Sequence, residues 1–283
     1  MQLKVASHSQ RAQPKVPAMS IILVTGASSG IGKATARSLL QQGHTVYVAA
    51  RRVEAMQDLE AQGAIPLRMD ITQEADVAAV VERIQTKHGA LDVLVNNAGY
   101  AIYGSVEETA LDDARAQFEV NLFGLARLTQ LLIPAMRERG RGTIINVSSM
   151  GGKIYTPLGA WYHATKHAVE GWSDALRIEL KPFGVDVVVI EPGIIATEFG
   201  DVMTQPMLDR SGHGPYGELA HAIAGSKAPM SQPSVVAEAI TRAVQARRPK
   251  TRYVAGNLAR PLMFVRKYFG DRVYDRLIMS QFR

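Results

Sequence analysis

Ile21-Ile22-Leu23-Val24 is an uninterrupted apolar run that ends in Thr25-Gly26-Ala27-Ser28-Ser29-Gly30-Ile31-Gly32 and leads directly into helical spacing. A short apolar run without polar alternation is a strand covered on both faces. Residues 31–42 then place Ile31, Ala34, Leu39 and Leu40 along one side of a helix that stops at Gly43. Strand, glycine-rich turn and helix together make an anion site. The glycines permit a tight turn and a close backbone approach to a pyrophosphate, whose charge sits at the helix N-terminus. Gly32-Lys33 does not make this turn a nucleotide-triphosphate loop. Ala34 stands where that motif needs Ser or Thr, and its earlier glycine would fall on Ala27.

The same alternation continues down the chain. Strands are expected at Val46–Ala50, Ile65–Asp70, Leu91–Val95, Thr143–Val147 and Val185–Ile190, with helices at 53–62, 73–87, 107–139 and 160–181. Pro134 is expected to bend the third of these helices near its end. Strand–helix alternation implies right-handed crossovers, hence an α/β, doubly wound (Rossmann) parallel sheet with helices on both faces. With no internal repeat and no linker, the sequence predicts one domain over 20–250, a disordered leader over 1–19 and a basic amphipathic extension over 251–283. Residues 198–232 break the pattern with Pro206 and several glycines. Long irregular segments in compact domains are commonly functional, so this one reads as a substrate lid. Met203, Met207, Leu208 and Tyr216 within it suit an apolar substrate.

Composition excludes several classes. The longest apolar run falls short of the roughly 20 residues of a membrane helix. The first 20 residues carry three basic groups and no apolar core, unlike a secretory signal, and Met19 is an alternative start. The absence of cysteine removes disulfide and thiolate chemistry and suits the cytoplasm. Seven histidines without ligand spacing predict no metal site. The net charge of +6 is polarised: residues 242–283 carry 11 basic and 2 acidic side chains, leaving an acidic body. Such a body lacks the basic stripe of a nucleic-acid binder. Leu258 to Phe282 interleaves basic residues with Leu262, Met263, Phe264, Val265, Tyr268 and Phe269. Packing over the substrate cleft or against a subunit is the preferred reading, with weak membrane-surface contact or a solvated tail as the alternatives.

Two features speak to chemistry. Tyr162 and Lys166 are four residues apart on one helical face. A phenol beside an ammonium, downstream of a dinucleotide-type turn, suggests an acid/base next to a nicotinamide. The second predicted strand ends Ala49-Ala50-Arg51-Arg52, without an acid to meet a ribose 2′-hydroxyl. Planar guanidinium groups pair bidentately with phosphate, so Arg51 and Arg52 point to NADP(H).

From these residues the chain resembles the short-chain dehydrogenase/reductase family over roughly residues 20–250. The turn with Gly26, Ser28, Ser29, Gly30, Ile31 and Gly32 resembles its coenzyme motif, and Asp70-Ile71 the pair bordering the adenine. Asn96-Asn97-Ala98-Gly99 is similar to the family's strand end, and Glu191-Pro192-Gly193-Ile194-Ile195-Ala196-Thr197 to its nicotinamide loop. The resemblance implies that Asn97, Ala98, Gly99, Pro192, Gly193, Ile195 and Thr197 touch cofactor. It implies a catalytic set of Asn121, Ser149, Tyr162 and Lys166. Tyr162 would exchange the proton, Ser149 would orient the carbonyl, Lys166 would lower the phenol's pKa and bind ribose, and Asn121 would hold a relay water. Within the family, the texture resembles NADP-dependent members acting on lipophilic ketones and alcohols of steroid or retinoid type. A 3-oxoacyl thioester reductase and a non-catalytic NADP(H)-sensing protein are the alternatives. A homodimer or homotetramer is expected.

Overall fold

The computed structural model describes residues 19–226 and 228–282, so the expected leader lies outside the described residues except for Met19. Seven strands form one parallel sheet in the order β3-β2-β1-β4-β5-β6-β7. They are β1 (Ile21–Thr25), β2 (Thr45–Ala50), β3 (Ile65–Arg68), β4 (Val93–Asn96), β5 (Gly142–Val147), β6 (Val185–Pro192) and β7 (Arg252–Ala255). Alternate residues of each strand point to opposite faces. Ile22 and Val24 of β1 therefore join a core with α1 (Gly30–Gln41), α2 (Gln57–Glu60) and α9 (Pro233–Gln245), through Leu39, Leu59, Ile240 and Val244. Leu23 faces the other way, into a core with α3 (Glu74–His88), α5 (Leu125–Arg139) and α6 (Ala160–Leu180). Burial on both faces explains why the strands read as continuous apolar runs.

Three expectations are corrected. The single helix expected at 107–139 is α4 (Leu111–Phe118), a π-helical segment (Glu119–Gly124) and then α5, which continues through Pro134 to Arg139. The segment 198–232, expected to be irregular, is largely helical: α7 (Glu198–Ser211), with Pro206 inside it, and α8 (Gly217–Ala224). The domain boundary at 250 cuts off β7, which pairs with β6 as the sheet's last strand. Beyond β7 the chain forms α10 (Ala259–Phe269) and α11 (Asp271–Ser280), which share a small core with Ile154 through Tyr274 and Ile278.

Sheet order reverses between β1 and β4, where neighbouring connections leave in opposite directions and open a crevice beyond the strand ends.

Candidate active site

That crevice is a cleft of about 950 Å³. Apart from Gly32 and Asn121, every residue expected to be catalytic or to touch cofactor lines it. Gly32 lies underneath, in a turn that only glycine fits. A Cβ there would lie 2.3 Å from Gly26 O and 2.5 Å from Asn97 Nδ2. Gly26 holds φ +65°, and a Cβ on it would reach 2.8 Å from Ala98 Cα. Asn97 locks this crossing by donating to Thr25 O at 3.0 Å and Gly26 O at 3.2 Å. The Thr25 hydroxyl accepts from the backbone N–H of both Asn97 and Ala98 at 3.0 Å. Thr25 thus joins the ends of β1 and β4, a role that its place in the motif did not reveal. Ser29 precedes α1 without capping it, so the first-turn N–H groups face the cleft. These features fit a dinucleotide pyrophosphate.

At one end of the cleft, Arg51 and Arg52 follow β2, and Arg52 pairs at 3.5 Å with Glu198 at the start of α7. Asp70 is held below its usual carboxylate range. Burial opposes this, but bonds from the Thr72 N–H and hydroxyl outweigh it, aided by Arg51 and Arg68.

At the other end, Tyr162 and Lys166 lie one turn apart on α6, both buried. The Lys166 ammonium is 6.0 Å from the Tyr162 ring centre and donates to Val147 O at 3.0 Å. Tyr162 is hydrogen-bonded to Ser149, whose hydroxyl also accepts from Gly151 N at 3.0 Å. Burial drives the phenol's pKa well above its ordinary value, and the Ser149 bond only partly offsets this. Burial also brings Lys166 down to about 8, against the pull of Glu170.

Asn121 lies in the π-helical segment, buried behind the cleft. Its Nδ2 donates to Tyr100 O at 2.9 Å and Thr165 Oγ1 at 3.0 Å, while Oδ1 accepts from Tyr100 N at 3.0 Å. Both amide hydrogens are used, so a water held by this side chain can only donate to Oδ1.

The profile of the short chain dehydrogenases matches residues 20–207. The chain belongs to this family. It is an oxidoreductase of the short-chain dehydrogenase type, and curated and solved relatives agree. It is 42% identical over 182 residues to 3-ketodihydrosphingosine reductase of Bacteroides thetaiotaomicron, covering 64% of this chain and 66% of that protein. A short-chain dehydrogenase from Streptomyces avermitilis is 35% identical with TM-score 0.77, covering 92% of this chain and 94% of that one. Actinorhodin polyketide ketoreductase, solved with NADPH, is 32% identical with TM-score 0.72, covering 84% and 97%.

Around this short-chain dehydrogenase's cleft are groups that the sequence pattern left unassigned. His163, beside Tyr162, accepts from Thr156 N at 3.0 Å through Nε2, which leaves Nδ1–H to donate to Gly151 O at 3.0 Å. It ties down the segment that follows Ser149. Burial lowers its pKa to about 4, beyond the opposing effect of the Gly151 bond. Tyr103 packs 6.0 Å from the Tyr162 ring and against the buried cluster of Leu158, Met207 and Ala220. Arg210 of α7 donates to Tyr103 O at 2.7 Å and to Asp113 at 3.0 Å. Behind the loop at 192–197, Arg252 of β7 bonds Glu170 and Asp174 and lies 3.3 Å from Glu191. Burial raises Glu191 to about 7, reinforced by Glu170 and opposed by Arg252.

Proposed function

We propose that the protein transfers hydride between NADP(H) and a lipophilic ketone or secondary alcohol, of steroid, retinoid or long-chain type. The observation that carries this reading is the buried Tyr162–Ser149 pair on the cleft floor, with the Lys166 ammonium within 6.0 Å of the phenol ring. When bound, the reduced nicotinamide supplies the hydride. A phenol kept protonated by burial is ready to give its proton to the carbonyl oxygen. Ser149 hydrogen-bonds the same oxygen and sets its direction. Lys166 holds ribose hydroxyls and, with its positive charge, steadies the phenolate left after proton transfer. Asn121 anchors water through Oδ1 for reprotonation. Gly26, Ser28, Ser29, Gly30, Ile31, Gly32, Asn97, Ala98 and Gly99 shape the pyrophosphate and ribose wall. Pro192, Gly193, Ile195 and Thr197 cover the nicotinamide, and Asp70 and Ile71 border the adenine.

NADP(H) is preferred because Arg51 and Arg52 occupy the rim where a 2′-phosphate would sit, and because the end of β2 offers no acid. The lipophilic substrate is supported by the apolar cluster of Tyr103, Leu158, Met207 of α7 and Ala220 of α8. Similarity to a 3-ketodihydrosphingosine reductase points the same way. Residues 198–232 act as the substrate lid in this reading. A homodimer or homotetramer in the cytoplasm completes it. The decisive screen follows NADPH oxidation against ketones, aldehydes and 3-oxoacyl thioesters. Turnover confined to acyl thioesters, or cofactor binding without turnover of any carbonyl, would replace this reading.

A further inference from the structure

Among the described residues, no helix is long and apolar enough to cross a membrane. The C-terminal helices nevertheless carry an unusual surface. Helix α10 turns Phe264, Tyr268 and Phe269 outward, 55%, 63% and 58% exposed. Their rings cluster, with Phe264 4.7 Å from Tyr268 and 6.2 Å from Phe269. Folding normally hides such residues, and scattered single exposures need no explanation, but three touching rings do. Arg260, Phe264, Lys267 and Tyr268 share one helical face by their spacing. Lys267 Nζ lies 5.2 Å over the Tyr268 ring. On α11, Arg272, Arg276 and Met279 repeat at helical spacing and are exposed, opposite Tyr274 and Ile278, which pack inward. The only acids in the two helices are engaged: Asp271 pairs with Arg266, and Asp275 accepts from the Tyr155 hydroxyl at 2.8 Å. Arg260, Arg272 and Arg276 have no acidic partner among the described residues.

We infer that α10 and α11 dock the protein on an anionic lipid bilayer, with Phe264, Tyr268 and Phe269 in the interface and Arg260, Lys267, Arg272 and Arg276 toward headgroups. Basic amphipathic helices with aromatic residues lie in the bilayer interface in this way. The charge selects the occupant. A two-fold contact between copies would bring this cationic face against itself, which like-charge repulsion opposes, whereas an anionic bilayer satisfies both the charges and the rings. The inward side of the same helices packs on Ile154 and Met150, the segment directly after Ser149. Docking therefore sets the carbonyl end of the cleft close to the bilayer, where a lipid ketone would be drawn from. The inference deepens the lipophilic-substrate reading and rests on it for that last step alone.

The test is co-sedimentation of the full chain with phosphatidylcholine vesicles, with and without phosphatidylserine, at low and high salt. Binding should require phosphatidylserine and weaken with salt. Each basic residue near the surface is worth about fivefold in partitioning. Phe264→Ser/Tyr268→Ser and, separately, Arg272→Glu/Arg276→Glu should each reduce binding at least tenfold, with thermal melting and turnover of a water-soluble ketone unchanged. The second pair keeps the inference testable if the first disturbs folding. No sedimentation with anionic vesicles, or equal binding to neutral ones, overturns the docking. So does self-association in solution that Phe264→Ser/Tyr268→Ser abolishes. Because sedimentation reads the docking and turnover reads the chemistry, either can fail alone.

Discussion

Lowering the pH should loosen the wall of the active site through His163. Its ring is buried, with Nδ1–H donating to Gly151 O and Nε2 accepting from Thr156 N. A second proton would go onto Nε2 and face the Thr156 N–H, leaving two donors opposed. Burial, with His167 nearby, holds the folded pKa at about 4 against an ordinary 6.5. The unfolded chain therefore binds the extra proton first. Stability is fully present above pH 6.5 and is lost as pH falls toward 4. The gap corresponds to about 3 kcal/mol, a large share of the total for a typical domain. Urea midpoints followed by circular dichroism across this window should fall steeply for the wild type. His163→Gln should be weaker at neutral pH, by about 1–2 kcal/mol for the lost hydrogen bonds, yet much flatter in acid. Parallel pH curves for the two proteins would refute the reasoning.

Arg51→Ala should weaken NADPH binding at least tenfold while sparing NADH, since a charge-assisted contact is worth about 1.5–3 kcal/mol. Fluorescence titration with both cofactors checks this, and equal loss for both would remove the 2′-phosphate assignment. Gly32→Ala forces a Cβ to within 2.3 Å of Gly26 O, so the turn must move. Overpacking costs about 1–3 kcal/mol, and both the melting temperature and dinucleotide affinity should drop. Lys166 titrates at about 8, so ketone reduction should decline as pH rises past that value and the ammonium is lost. Lys166→Ala should lower both turnover and cofactor affinity at every pH, as the pH–rate profile and an NADPH titration would show.

The central strands were legible because each is covered on both faces, and an apolar run such as Ile21–Val24 has no other stable place in water. The glycine turn was legible because no side chain fits at Gly32, and Tyr162 and Lys166 because helical spacing fixes their shared face. What escaped depends on distant partners. Strand β7 contains Arg252, which reads as a surface residue until Glu170, Asp174 and Glu191 from α6 and β6 meet it. The π-helical widening at Asn121 changes the backbone bonding without changing the apolar period around it. Helix α7 looked irregular because Gly200 and Pro206 usually break helices, yet it is fastened from outside by Arg210 on Tyr103 and Asp113. The role of His163 rests on two backbone groups, at Gly151 and Thr156, that any sequence would supply.

The central claim is that Tyr162 delivers the proton. Tyr162→Phe removes one oxygen and keeps the ring that packs 6.0 Å from Tyr103. General acid/base catalysis typically contributes about 10²- to 10⁴-fold, and the turnover number for ketone reduction should fall by at least that much. NADPH affinity should stay nearly constant, because the glycine turn, Arg51 and Lys166 are untouched. Measured together, a collapsed turnover number with intact cofactor binding is the predicted result, and near-normal turnover in the phenylalanine variant would contradict it.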